Sequence, residues 1–255
     1  MGKKFFTWNF DDGLEEDKEI IRILKSCNMG ATFNLNSGLF GKRQMIGRIG
    51  NLGVKEIPQS KYNADKKTIL KYSIHYRIPE DEIEQVYGGF EVASHTADHV
   101  DLTKLAPMES RWQVEEDQRV MGEIFQQPVV GFAYPFGRRN ERTKKLLREI
   151  GIQYARTMQM AKDFRFPEDS MELPVTGWIA KKNTLAVMQK FVESESEEDQ
   201  IFLMFAHGYE LDFNTKECNF DMFQRICDMV ASREDILCCS TGDAFRYHTN
   251  GGAYV

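Results

Sequence analysis

The sequence predicts an α/β fold built on a mostly parallel sheet. Apolar helical stripes alternate with short apolar runs along most of the 255 residues, and each group of reactive side chains falls just after one of those runs. The first run, Phe5-Phe6-Thr7-Trp8-Asn9-Phe10, is aromatic-rich like a strand and ends on Asp11-Asp12-Gly13. Glu15 to Asn28 then carries Ile20, Ile21, Ile23, Leu24 and Cys27 on one helical face, Gly30 stops it, and Ala31 to Leu35 reads as a second strand. The alternation resumes with strand Phe90 to Ser94, helix Glu109 to Phe125, strand Val129 to Tyr134, helix Glu141 to Ile150 and strand Tyr154 to Thr157. It closes with the apolar run Ile201 to Ala206, helix Phe220 to Ala231 and the short run Ile236 to Cys239. About seven strands can close into a barrel or stay open and doubly wound, and in both cases ligands bind beyond the strands' C-terminal ends. Between Gly38 and Gly89 the rhythm breaks at a cluster of Gly41, Gly47, Gly50 and Gly53, followed by Pro58 and Pro79, which reads as an insertion or lid within one domain.

Composition narrows the partners. A net charge of -6, from 33 basic and 39 acidic residues, disfavours a nucleic-acid surface and suits a neutral substrate. No run approaches the ~20 apolar residues of a membrane span, and the apolar run after Lys3-Lys4 is too short for a signal peptide, so a cytoplasmic address is expected. Cys27, Cys218, Cys227, Cys238 and Cys239 are odd in number and irregularly spaced, which predicts reduced thiols rather than a zinc or disulfide framework. Nothing in the sequence fixes the oligomeric state.

Two adjacent carboxylates at a strand exit repel each other unless a cation or proton lies between them, so Asp11-Asp12 is either an ordinary acidic turn or a metal site. Ser94-His95-Thr96-Ala97-Asp98-His99 supplies a second metal signal, because imidazoles four apart face one point if the chain turns helically. The zinc-protease pattern does not fit, since Thr96 stands where that motif requires glutamate. Asp12, His95 and His99 together offer three ligands with a position left over, the pattern of a catalytic site, and Asp11 is then placed to act as general base. Gly131-Phe132-Ala133-Tyr134-Pro135-Phe136-Gly137 ends in a tight turn that either simply closes a strand or presents backbone N–H groups to an oxyanion. His207, closing its strand before Gly208, is either a satisfied core histidine or a general acid, whereas His75 and His248 read as hydrogen-bonded core residues.

Taken in order, Asn9-Phe10-Asp11-Asp12-Gly13, His95-Thr96-Ala97-Asp98-His99, Tyr134-Pro135-Phe136-Gly137 and Ala206-His207-Gly208 resemble the successive motifs of the polysaccharide deacetylase family. The resemblance spans roughly residues 5 to 247. It implies a distorted (β/α) barrel, usually seven-stranded, and removal of N- or O-linked acetyl groups from an acetylated carbohydrate. It also implies one divalent metal ion, with Asp12, His95 and His99 as ligands, Asp11 as base, His207 as acid, and the Phe136 N–H at the oxyanion. Two imidazoles and a carboxylate suit zinc, cobalt, nickel or iron, and zinc is the expected ion. In two places the sequence departs from the family. Ala133 stands where an arginine commonly holds the base, with Arg138 or Arg139 as substitutes, and Gly177 stands where an aspartate beside Trp178 commonly tunes the acid. Tyr134 and Pro135 join Phe136 as candidates for oxyanion or substrate binding, Trp178 either lines a sugar groove or is a core tryptophan, and Tyr209 and Glu210 are candidates to touch substrate. Two alternatives remain: a hydrolase of another small amide or ester, and a non-catalytic glycan-binding relative.

Overall fold

The computed structural model describes residues 2–49, 53–56, 72–212 and 218–250. In chain order the first part runs β1 (Lys4–Asp11), α1 (Asp17–Ser26), β2 (Ala31–Leu35), β3 (Arg43–Ile49), β4 (Gly53–Glu56), β5 (Tyr72–Tyr76), α2 (Glu80–Tyr87) and β6 (Glu91–Ser94). It continues with α3 (Pro107–Phe125), β7 (Gly131–Ala133), α4 (Glu141–Glu149), β8 (Tyr154–Met160), β9 (Leu173–Val175) and β10 (Gly177–Trp178). The last elements are α5 (Thr184–Glu193), β11 (Gln200–His207), α6 (Gly208–Asp212), α7 (Phe220–Ala231), β12 (Ile236–Cys238) and α8 (Thr241–Thr249).

All pairings in the main sheet are parallel, in the order β10-β11-β1-β2-β6-β7-β8-β9, with β12 beside the start of β1. Only Thr176 separates β9 from β10, and its N–H donates to the Leu203 carbonyl at 2.9 Å. These two pieces therefore act as one bent stave, touching β8 on one side and β11 on the other, which closes a distorted barrel of seven staves. β1 is fully enclosed beyond Lys4 and alternates with period 2. Phe6, Trp8 and Phe10 face the helices, with Trp8 4.7 Å from Phe223 of α7 and Phe10 stacked 5.2 Å from Phe33 of β2. Burying each such ring contributes roughly 2–3 kcal/mol, so this strand anchors the main apolar layer. Thr7, Asn9 and Asp11 face inward, and the first two are held by Thr241 at 3.0 and 2.7 Å.

The helices form where the apolar stripes predict them. α1 buries Ile20, Ile21, Ile23 and Leu24, α4 is fixed at its start by a reciprocal capping box between Asn140 and Thr143, and α3 opens with Pro107 in its first turn. β7 is shorter than the predicted strand, β8 runs on to Met160, and β9, β10, α5, α6 and α8 are additions. All five cysteines are free thiols, as their spacing predicts.

Within the predicted insertion, β4-β3-β5 form an antiparallel three-stranded sheet. Its two ends are joined by Gly41 N–H to Ile78 O at 3.0 Å and Arg77 N–H to Lys42 O at 3.1 Å. The return segment then docks on the loop after β1, through Ile78 N–H to Gly13 O and Glu15 N–H to Tyr76 O, both 2.9 Å. The segment is thus an arm whose base abuts the first motif, whereas α2 packs against α1 and α3 in the outer layer of the barrel. Gly50 and Pro58 lie outside the described residues.

Candidate active site

Three parallel strands end at one level around the inward face of β1. Asp11 is the register partner of His207 on β11 and of Asn34 on β2, so the candidate base and acid are neighbours by strand pairing. Asp11 is nearly inaccessible and is gripped by Arg156, whose Nη2 donates to both carboxylate oxygens, 2.6 Å to Oδ1. Asn34 donates to the same Oδ1 at 2.8 Å. Burial alone would raise the Asp11 carboxyl, but Arg156, then His95 and His207, outweigh it and hold the group ionised below the usual carboxylate range. Arg156 is itself 0% exposed, donates from Nε to Asn9 Oδ1 at 3.0 Å, and lies 4.6 Å over the Phe205 ring.

Arg156 is also the cross-strand partner of Ala133. The guanidinium expected at Ala133 is therefore present at the same height, one strand over. The substitutes considered from sequence do not serve: Arg138 pairs with Asp101 at 2.9 Å and Arg139 with Glu172 at 3.2 Å. The available signal was a charged residue inside the apolar run Tyr154 to Thr157.

Asp12, His95 and His99 bring one donor atom each to within 4.8 Å of one another. They do so without a helix, because Thr96 (φ 63°) and His99 (φ 53°) are left-handed and fold the segment into a tight loop. The His95 Nδ1–H donates to the Ala133 carbonyl at 2.7 Å, which turns Nε2 toward the carboxylates, 3.6 Å from Asp11 Oδ2. His99 Nε2 lies 3.8 Å from Asp12 Oδ1. Burial lowers His95 despite Asp11 and Asp12, keeping the neutral imidazole that a metal needs. Asp12 is held well below the carboxylate range, burial being outweighed by His99 and then Arg77. Two imidazoles and an ionised carboxylate converging at this spacing fit a divalent first-row ion.

Two supports were not evident from sequence. Arg77, at the arm's base, donates to the Asp12 carbonyl at 3.1 Å and lies 3.4 Å from its Oδ1. Asp117, fully buried on α3, accepts from Ser37 N–H and Oγ, from Ser94 Oγ and from the His95 N–H, at 2.8, 2.6, 2.8 and 3.2 Å. It thereby pins the histidine loop, and burial raises its carboxyl to about 7 against those four bonds.

His207 stands at the lip with Glu210 beneath it. Glu210 Oε2 accepts the His207 N–H at 3.0 Å, and Oε1 lies 3.4 Å from Nδ1 while accepting Trp178 Nε1–H at 2.8 Å. Burial works against charge on His207, yet Glu210, with Asp12 and Asp11 behind it, raises the imidazole to about 9. Glu210 is 3% exposed, so it is placed to orient His207, the candidate acid, rather than to face a substrate, and it supplies a carboxylate beside that histidine where Gly177 cannot. A Cβ on Gly177 would meet Met204 Sδ and the Phe202 ring at 2.9 Å, which excludes an aspartate there. Trp178 is half-buried, and Tyr209 stacks 4.6 Å behind His207 at 5% exposure. Tyr134 points into the core 5.2 Å from Phe132, so it and the buried Pro135 shape the turn by backbone alone. Phe136 is left-handed (φ 59°) and 55% exposed, its ring 4.8 Å from His99. His248 is a half-exposed surface residue stacked on Phe166, not a core one.

The profile of the polysaccharide deacetylase family matches residues 1–155. YxkH of Bacillus subtilis (strain 168), named for the same family, is 29% identical over 85 residues, 33% of this chain and 30% of that protein, so the match spans about a third of this curated relative. Among solved structures, one from Mycobacterium smegmatis described by the same family name superposes with TM-score 0.61 at 14% identity, covering 100% of this chain and 93% of its own. The peptidoglycan deacetylase PdaC from Bacillus subtilis gives 0.54 at 16% identity, covering 98% and 93%. Puue allantoinase gives 0.61 at 12% identity, covering 98% and 91%. At these identities the likeness of the solved structures shows the fold alone. Among the described residues no helix is long and apolar enough to cross a membrane.

Proposed function

Because the chain belongs to the polysaccharide deacetylase family, we propose that it is a metal-dependent hydrolase that removes an N- or O-linked acetyl group from a carbohydrate. The observation that carries this reading is a pair of strand-register neighbours held in opposite protonation states. Asp11 is ionised by Arg156 and His207 is protonated by Glu210, both beside the Asp12, His95 and His99 cluster. Asp12, His95 and His99 would hold a divalent ion, with zinc the expected one, and that ion would supply Lewis acidity to the acetyl carbonyl and make a nearby water easier to deprotonate. Asp11 takes the water's proton as its oxygen attacks the acetyl carbon, and Arg156 keeps the carboxylate oriented throughout. The Phe136 N–H, in its left-handed turn, stabilises the tetrahedral oxyanion. His207 then gives its proton to the departing sugar nitrogen or oxygen, the bond to the acetyl carbon breaks, and acetate leaves.

The absences at Ala133 and Gly177 that favoured a glycan-binding relative are offset by Arg156 and Glu210, and a binder gains nothing from a buried base and a charged acid. The test is acetate release from a panel of N- and O-acetylated oligosaccharides, with the ion removed by chelation and restored as zinc. Release that stops on chelation and returns with zinc is expected, and Asp11→Asn should abolish it while binding zinc as the parent does. Release that persists after exhaustive chelation would refute the metal role.

A further inference from the structure

Outside that site, a second set of metal-type donors converges at the base of the arm. Glu16, just before α1, His75 on the arm's return strand and Asp212 at the end of α6 each bring one donor atom to within 4.8 Å of the others. We propose that these three residues form a second divalent-cation site, taking a first-row ion such as manganese or zinc, which clamps the arm to both flanks of the catalytic mouth.

Three observations carry it. His75 is 2% exposed and its Nδ1 is hydrogen-bonded to Glu16 Oε1, so an imidazole and a carboxylate are already oriented toward each other in a desolvated position. The other oxygen of Glu16 is buried without a hydrogen-bond partner, and so is Oδ1 of the adjacent Asp17, whose Oδ2 accepts from Tyr87 at 2.8 Å. Among the described residues these are the two carboxylate oxygens left in that condition, and they belong to consecutive residues. Unpaired acceptors buried in an acidic cluster are costly unless a cation or a proton neutralises them. Burial raises the Asp17 carboxyl and favours its proton, which leaves the Glu16 oxygen as the acceptor that points to a cation. Lys18, the adjacent cation on α1, is engaged with Glu15 at 2.6 Å and Glu82 at 2.7 Å.

The third observation is the seat of α6. A Cβ on Gly208 would lie 2.8 Å from Glu16 Cβ and 3.1 Å from Asp17 Oδ1, so only glycine allows this helix to rest on the acidic pair. Asp212, one turn further on, projects from the same helix face and brings its exposed carboxylate to the cluster. One imidazole and two carboxylates are the donor types that manganese, iron and zinc share. The three segments are otherwise distant in sequence, and two of them directly follow Asp12 and His207. An ion here would fix where the arm meets the mouth, independently of the chemistry inside it.

The test is zinc and manganese stoichiometry on the full chain by native mass spectrometry and titration calorimetry. The parent should bind two ions. His95→Ala/His99→Ala should bind one, and adding Asp212→Asn or His75→Gln should remove that one. Asp212→Asn alone, a surface change that spares the fold, should bind a single ion. An apo melting temperature equal to the parent's shows that a lost equivalent is not unfolding. If His95→Ala/His99→Ala binds none, or keeps its ion when Asp212 and His75 are both replaced, the site does not exist. Because this readout is ion count rather than acetate, the deacetylase reading can fail without affecting it, and the reverse holds as well.

Discussion

Arg156 and Glu210 place a charge beside Asp11 and His207 from positions in the chain other than Ala133 and Gly177. Arg156 reaches Asp11 from the strand beside Ala133, and Glu210 reaches His207 from the helix after it rather than from Gly177. Both act through short contacts in a desolvated setting, where an opposite charge shifts a titration by about one to three units. Glu210→Gln keeps the shape and removes the charge, and its one amide oxygen can accept from Trp178 Nε1–H or from the His207 N–H but not from both. The basic limb of kcat/KM for acetate release should therefore move from near pH 9 toward the ordinary histidine value, by about one to two units. The acidic limb, set by Asp11, should stay where it is. A merely structural role for Glu210 would lower the rate without moving the basic limb, and the pH profile separates the two.

At the scale of elements, β10 illustrates what packing permits. Gly177 is buried where β10 meets β11, against a Phe202 ring that is stacked on Phe6 and in contact with Phe191. Gly177→Asp would drive a side chain into that layer and bury a second carboxylate near Glu210, so a loss of about 2–4 kcal/mol in urea unfolding is expected. Combining it with Glu210→Gln should not restore the basic limb, because the aspartate has no room to reach His207. The long staves were legible because their apolar periodicity is strong: β1, β2, β11 and α7 lie within a residue or so of where the pattern places them. β9 and β10 are three and two residues long and carry no period, so they emerge only when the sheet closes. The ligand and acid candidates were legible because each ends a readable strand. Arg156, Glu210, Arg77 and Asp117 were not, since a lone charged residue in a strand, helix or arm acquires its meaning from what the fold sets opposite it.

Over the whole molecule, the buried charges make stability a function of pH with contributions of opposite sign. Asp11 and Asp12 have folded pKa values below their unfolded ones, so their contribution is present above about pH 4 and is lost as the pH falls further. His207 is raised from 6.5 to about 9, so its contribution, up to roughly 3 kcal/mol, is complete below pH 6.5 and is lost as the pH rises through 9. Asp117, raised to about 7 by burial, binds a proton more readily folded than unfolded, so stability declines as the pH climbs from about 4 to 7. Asp17 and Glu91, also raised by burial, add losses of the same sign above about pH 4, while His95, lowered by burial, adds a gain as the pH rises toward 6.5. In chelator, the urea midpoint should peak on the acidic side of neutrality and descend as the pH rises toward 9. Asp117→Asn should make the descent below pH 7 shallower, and His207→Gln the descent above it, each leaving the other slope intact. A midpoint that stays level between pH 5 and 9 would show that neither group titrates as its surroundings require. The four hydrogen bonds to Asp117 would then be holding it ionised against its burial.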